Sequence, residues 1–176
     1  MQKSHLLPMT ATAILLGTVL ACAIPPSLLG QVNKKDSGGQ VVFSVGPKSG
    51  SSCDEVSAAF VCPGDAACTP GVVHVLLTFL TYKQLPKYDD DHAVSFVLDE
   101  DTGVSVANPT YRARKGVGRQ VWETITCIMP TADFLELTAA RGVDLRVGNQ
   151  EAKLSREQLQ TLAQLAAAIP KGEEDP

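Results

Sequence analysis

The sequence is poor in the features that usually announce an activity. "GPKSG" at residues 46–50 is neither a nucleophile elbow nor a phosphate-binding loop, because it lacks the spaced first glycine and the Gly-Lys order. No serine-hydrolase or nucleotide-binding motif therefore stands. Paired C-x-x-C spacing is missing too: five residues separate Cys62 from Cys68 in "CPGDAAC", and no second thiol pair follows. Zinc knuckles and thioredoxin-like redox sites need tighter spacing, so both are disfavoured. Positive charge is scarce, with 15 Lys and Arg against 19 Asp and Glu and a net charge of −4. Such a chain has no overall attraction to nucleic acid or anionic lipid, and its charge serves solubility. Internal repeats are absent, and the one long apolar run lies near the N-terminus.

That run has the layout of a secretory signal over residues 1–21: a weakly basic start at Lys3, an apolar stretch from Met9 to Leu20, and small residues at its end. It is too short and too weakly flanked for a spanning helix. Val19-Leu20-Ala21-Cys22 resembles the lipobox of bacterial lipoproteins, with Leu20 standing where a smaller residue is usual. The resemblance implies cleavage before Cys22, a lipid on its sulfur, and attachment to the membrane; Ala23 in the next position implies sorting to the outer membrane. Ala21-Cys22-Ala23 also suits ordinary signal peptidase, which leaves a periplasmic or secreted protein. Two or three acyl chains on Cys22 bury enough methylenes for stable anchoring.

Without the leader, roughly 155 residues remain, enough for one domain and its core. The expected organisation is a tether over 22–39, where the composition turns to Lys, Asp, Ser and Gly, then a single domain over 40–170 and a flexible tail over 171–176. Four cysteines survive either cleavage, an even number that reads as two disulfides in an exported chain. Of three possible pairings, Cys62 with Cys68 and Cys53 with Cys127 is favoured. The long staple closes roughly 75 residues and contributes about 4 kcal/mol on chain entropy, against about 2 for the short one.

The domain reads as α+β, an antiparallel sheet or open sandwich of six to eight strands with two helices in the C-terminal half. "QVVFSV" is a strand candidate, "VVHVLLTFLTYKQL" is the most β-rich apolar run and is broken by Pro86, and "AVSFVL" with "GVSVAN" forms a hairpin around Asp99 to Thr102. "TYRARK" and "RQVWETITCIM" form a second hairpin around Gly116-Val117-Gly118, and "VDLRVG" with "QEAKL" a third around Asn149. Residues 45–71 read as a Gly, Ser and Cys-rich excursion with one or two helical turns around Glu55 to Phe60. "PTADFLELTAARG" predicts a helix capped by Thr131 and stopped at Gly142. Ser155 and Gln158 predict a capping box for a closing helix with Leu159, Leu162, Ala163, Ala166 and Ile169 on one face.

Few residues suggest chemistry. "YDDDH" at 88–92 gathers Asp89, Asp91 and His92, ligand types for a divalent cation, but adjacent residues cannot all turn inward and the sequence reads first as a solvated turn. "DEDTG" reads as a hairpin tip, and His74 as a sheet histidine on the face opposite Val73 and Val75. "YRARKGVGR" places Arg112, Arg114, Lys115 and Arg119 in a basic hairpin on an acidic protein. Arg112 and Arg114 share one side of the strand, with Tyr111 on the other, so their guanidinium groups can meet a carboxylate, a phosphate or an acidic partner. An edge strand guarded by arginine against self-pairing fits the same letters. Trp122, the only tryptophan, is expected to anchor the core, with exposed ligand stacking as the alternative.

"DLRVGNQEAKLSREQLQTLAQLAAAI", residues 144–169, resembles segments of exported bacterial proteins in which a strand hairpin feeds one terminal helix, a resemblance that carries no chemistry. The expected function is an exported, lipid-anchored or secreted cell-envelope protein that binds or scaffolds an envelope protein or acidic ligand, with no cofactor, no nucleic acid and no catalysis indicated. The alternative is a secreted metal-assisted hydrolase built on Asp89 to His92.

Overall fold

The fold was analysed in a computed structural model of the chain, which describes residues 32–46, 54–64, 68–83 and 85–170. Ten strands and two helices appear among them, all strand pairs antiparallel. The strands are β1 (Asn33–Asp36), β2 (Gln40–Val45), β3 (Asp54–Pro63), β4 (Val72–Thr81), β5 (Val94–Leu98), β6 (Thr102–Ser105), β7 (Thr110–Lys115), β8 (Val121–Pro130), β9 (Val143–Val147) and β10 (Gln150–Lys153). The helices are α1 (Thr131–Ala139) and α2 (Arg156–Ala167). Six strands make the larger sheet, in the order β1-β2-β3-β4-β8-β7, and four make the smaller, β10-β9-β5-β6. This is the expected α+β class, with more strands than the sequence reading counted.

Period-two alternation decides which face of the larger sheet is buried. Val41, Phe43 and Val45 of β2, Val56, Ala58 and Phe60 of β3, Val73, Val75 and Leu77 of β4, and Ile125, Cys127 and Met129 of β8 all point to one side and are buried. That inner face meets the smaller sheet's Val94, Phe96, Leu145 and Val147 and the helices' Phe134, Leu137, Leu162 and Leu165 in one continuous core. α2 packs on β2 and β3, α1 on β4 and β8, and the helices pack on each other. The opposite face of the larger sheet has none of these elements over it.

The three expected hairpins are present, as is the capping box. The Ser155 hydroxyl accepts the Gln158 N–H at 3.2 Å, and Gln158 Oε1 accepts the Ser155 N–H at 2.8 Å. Other expectations change. Glu55 to Phe60 lie in a ten-residue central strand rather than a helical turn. The inward set Val56, Ala58, Phe60 and Cys62 is a clean alternation disguised by its small residues. Asn33–Asp36, read as tether, pair with β2 as an edge strand. Thr131 does not cap α1: Pro130 holds the N-cap position, and the Thr131 hydroxyl donates to the Pro70 carbonyl. The helix ends at Ala139, and Gly142 instead donates its N–H to Asp99 Oδ1 at 3.0 Å. Leu162 on α2 and Ile169 just past its end are buried as expected, and Thr161 and Leu165 join them.

One disulfide, Cys62 to Cys68, joins the end of β3 to the segment leading into β4. The second expected bridge is not seen. Cys127 is a free thiol, fully buried at the centre of β8, and Cys53 lies outside the described residues. Burial in apolar surroundings raises the Cys127 thiol from its usual 9.0 to about 12. Cys22 also lies outside the described residues, and among those described no helix is long and apolar enough to cross a membrane.

Candidate interaction surface

The strongest concentration of sequence-expected residues is the β7–β8 hairpin and the outer face of the larger sheet beside it. Gly116 donates its N–H to the Gln120 carbonyl at 2.9 Å, closing a three-residue turn in which Gly118 takes a left-handed conformation at φ +70°. A side chain at Gly116 would meet the Trp122 indole at 3.1 Å and Gln120 Cβ at 3.0 Å, so the ring lies directly against the glycine backbone. The hairpin register then sets Arg114 opposite Trp122, Arg112 opposite Thr124 and Thr110 opposite Thr126. Because side chains alternate, all six share the outer face.

The neighbouring strand continues that face. His74 stands opposite Ile128, and Leu76 opposite Thr126. Together these side chains line a shallow concavity on the open sheet. Trp122 is therefore not a core anchor: it is half-buried on the outer side, and Glu123 takes the inward position next to it. Ile128, Val72 and Val61 on the same side are each at least 40% exposed, and Ile128 lines the concavity together with the arginines.

Arg112, Arg114, Lys115 and Arg119 are all exposed, and none makes an ion pair among the described residues. Lys115 alternates onto the inner side at the hairpin end and Arg119 sits in the turn, so the structure gathers the guanidinium groups of Arg112 and Arg114 with Trp122 and leaves the other two cations flanking them. The contrast with Arg146 is informative. That side chain pairs with Glu151 at 3.0 Å on β9 and β10, although both are exposed.

Behind the hairpin lies a residue that sequence reasoning missed. Glu123 is fully buried, and its Oε1 accepts three hydrogen bonds: from the Lys87 N–H at 2.8 Å, the Tyr88 N–H at 2.8 Å and the Tyr111 hydroxyl at 2.9 Å. Thr81 Oγ1 reaches its other oxygen at 3.4 Å. A buried acid is tolerated when its acceptor sites are filled in this way. The only signal in the sequence was its inward parity with Val121 and Ile125. The arrangement clamps β7 and the 85–93 segment to β8. Burial, the hydrogen bond to Glu123 and the negative charges of Glu123 and Asp89 together push the Tyr111 hydroxyl far above its ordinary value.

The Asp89 to His92 cluster is used piecemeal. Asp89 and Asp90 are exposed, and Asp91 Oδ1 accepts the Ala93 N–H at 3.2 Å. The His92 ring stacks on Tyr111 with centroids 5.1 Å apart. Among the described residues no three His, Cys, Asp or Glu side chains are placed to hold a metal ion. Asp99, in the other acidic turn, accepts the Arg141 and Gly142 N–H groups at 3.0 Å and so fixes the end of α1 to the β5–β6 hairpin.

No known protein family, no curated protein and no solved structure matches this chain.

Proposed function

We propose that this chain is an exported cell-envelope binding module, held by lipid on Cys22 or released after ordinary cleavage, which engages an anionic partner through its basic β7–β8 hairpin and the adjoining outer sheet face. The observation that carries this reading is the set of four exposed cations, Arg112, Arg114, Lys115 and Arg119, without ion-pair partners among the described residues, on a protein with a net charge of −4. An unpaired cluster of one sign inside a field of the other steers and orients an oppositely charged partner. The Cys62 to Cys68 bridge supports an oxidising compartment.

Topology supports the tethered version. The chain enters the larger sheet at edge strand β1 and carries the basic hairpin on the opposite edge, β7. Five strand spacings separate the two, about 24 Å. A lipid on Cys22 would join the chain on the side of β1, the edge opposite the cationic strand.

Binding of fluorescent polyglutamate at low salt, followed by anisotropy, tests the reading. The intact domain is expected to bind with an affinity that falls as salt rises, and Arg112→Glu with Arg114→Glu to weaken it at least tenfold at unchanged melting temperature. Equal binding by the double variant removes the proposal. Intact mass of protein purified from the envelope tests the anchor: a chain beginning at Cys22 with acyl mass supports it, and an unprocessed chain contradicts it.

A further inference from the structure

We infer that the partner docks by adding an extended acidic strand to the free edge of β7, with its carboxylates alternating so that they meet Arg112 and Arg114. This rests on the binding reading above and adds the mode of engagement. Among the described residues β7 pairs only with β8 and ends the larger sheet. In an antiparallel ladder, residues whose N–H and C=O face the neighbour alternate with residues whose groups face away. Gly116 donates to Gln120, directly opposite it, so Arg114, Arg112 and Thr110, of the same parity, direct their backbone toward β8. Tyr111, Ala113 and Lys115 then direct theirs to the open edge, where no backbone partner is present among the described residues.

Two features separate this edge from an ordinary protected one. Ala113 offers its backbone under a methyl group and is exposed, so nothing bulky bars approach at the middle of the strand. The cations, meanwhile, choose the partner. A second copy pairing through β7 would set arginines against arginines, which like-charge repulsion opposes. A strand with Asp or Glu at alternate positions instead places carboxylates beside Arg112 and Arg114, whose side chains stand two residues apart on one face. Side chains i and i+2 of an extended partner repeat at the same interval, so the register of charge and the register of backbone hydrogen bonds coincide. Trp122 and the apolar outer face lie one strand further in, available to the partner's flanking residues.

The experiment uses an eight-residue peptide with Glu at alternate positions and Thr between, a second peptide of the same composition with its four Glu contiguous, and a third N-methylated on the backbone of the alternating sequence. Anisotropy against the intact domain is expected to show the alternating peptide bound at least tenfold more tightly than either control. Ala113→Pro, which removes an N–H that β8 does not use, is expected to lower that affinity at least tenfold with the melting temperature held, since edge strands accept proline where the N–H faces outward. Should Ala113→Pro unfold the domain, the N-methylated peptide on the intact protein decides alone. Equal binding of all three peptides, with loss on Arg112→Glu and Arg114→Glu, overturns strand addition but leaves the anionic-partner reading standing. Indifference to the arginine substitutions overturns both. Equal competition by a sulfated oligosaccharide assigns the hairpin to polyanions at large and likewise overturns the strand mode.

Discussion

The Tyr111 hydroxyl donates to Glu123 Oε1 at 2.9 Å, so the edge strand that carries the basic residues is tied to a buried acid on its neighbour. The same oxygen holds the Lys87 and Tyr88 N–H groups. Removing the acid takes the acceptor from one buried donor, the Tyr88 N–H, and from two partly buried ones, the Lys87 N–H and the Tyr111 hydroxyl. Glu123→Ala is expected to cost about 3 kcal/mol, while Tyr111→Phe, which deletes one donor, costs about 1 kcal/mol. Denaturant midpoints at constant m-value measure both, and an unshifted midpoint for Glu123→Ala contradicts the clamp.

Alkaline pH acts on two groups here. Folding raises the Cys127 thiol from 9.0 to about 12 and raises the Tyr111 hydroxyl above its usual 10.0, so the folded chain keeps protons that the unfolded chain has released. The stabilisation they contribute is whole below those usual values and is lost as pH rises from them through the raised folded values. The melting temperature is therefore expected to fall from about pH 9 upward. In Cys127→Ala the early part of that fall is shallower, and in Tyr111→Phe the later part is. Identical slopes in all three proteins would contradict these assignments.

Thiol chemistry separates the cysteines. A native-state alkylation followed by peptide mass mapping is expected to leave Cys127 unmodified until denaturant is added, because its thiol is buried and protonated. Cys62 and Cys68 should appear as one linked peptide. Replacing both with serine removes a short loop closure, and the expected loss is about 2 kcal/mol. Rapid alkylation of native Cys127 would place its strand outside the core.

Gly116 holds the indole in place by lacking a side chain. Gly116→Ala introduces a methyl 3.1 Å from the Trp122 ring and 3.0 Å from Gln120 Cβ. The ring has to shift outward, and tryptophan emission is expected to move to longer wavelength with a stability loss of about 1 kcal/mol. Unchanged emission would mean that the indole does not rest on this glycine.

Much of the architecture was legible in the sequence because alternation and turn chemistry are local signals. The β5–β6, β7–β8 and β9–β10 hairpins and the Ser155 capping box were read from short stretches. β3 was not, because Ala58, Ala59 and Cys62 are small and its flanks are rich in Gly and Ser. For the candidate surface, Arg112 and Arg114 were placed on one side correctly, yet Trp122 was turned inward. In "VWETITCIM" both parities carry apolar residues, and the buried one contains Glu123. What resolves that parity is a set of hydrogen bonds from Lys87 and Tyr88, more than thirty residues away, which no local pattern encodes. The long staple is not seen: cysteine parity counts thiols, and the position of Cys127 in a buried strand is a tertiary fact.

Amide and indole NMR shifts during titration with polyglutamate test the central claim most directly. The account predicts that the largest perturbations fall on the β7 amides, the Arg112 and Arg114 guanidinium groups and the Trp122 indole N–H, fading with added salt. Perturbations centred instead on α1, α2 or the 89–92 segment, with β7 silent, would contradict it.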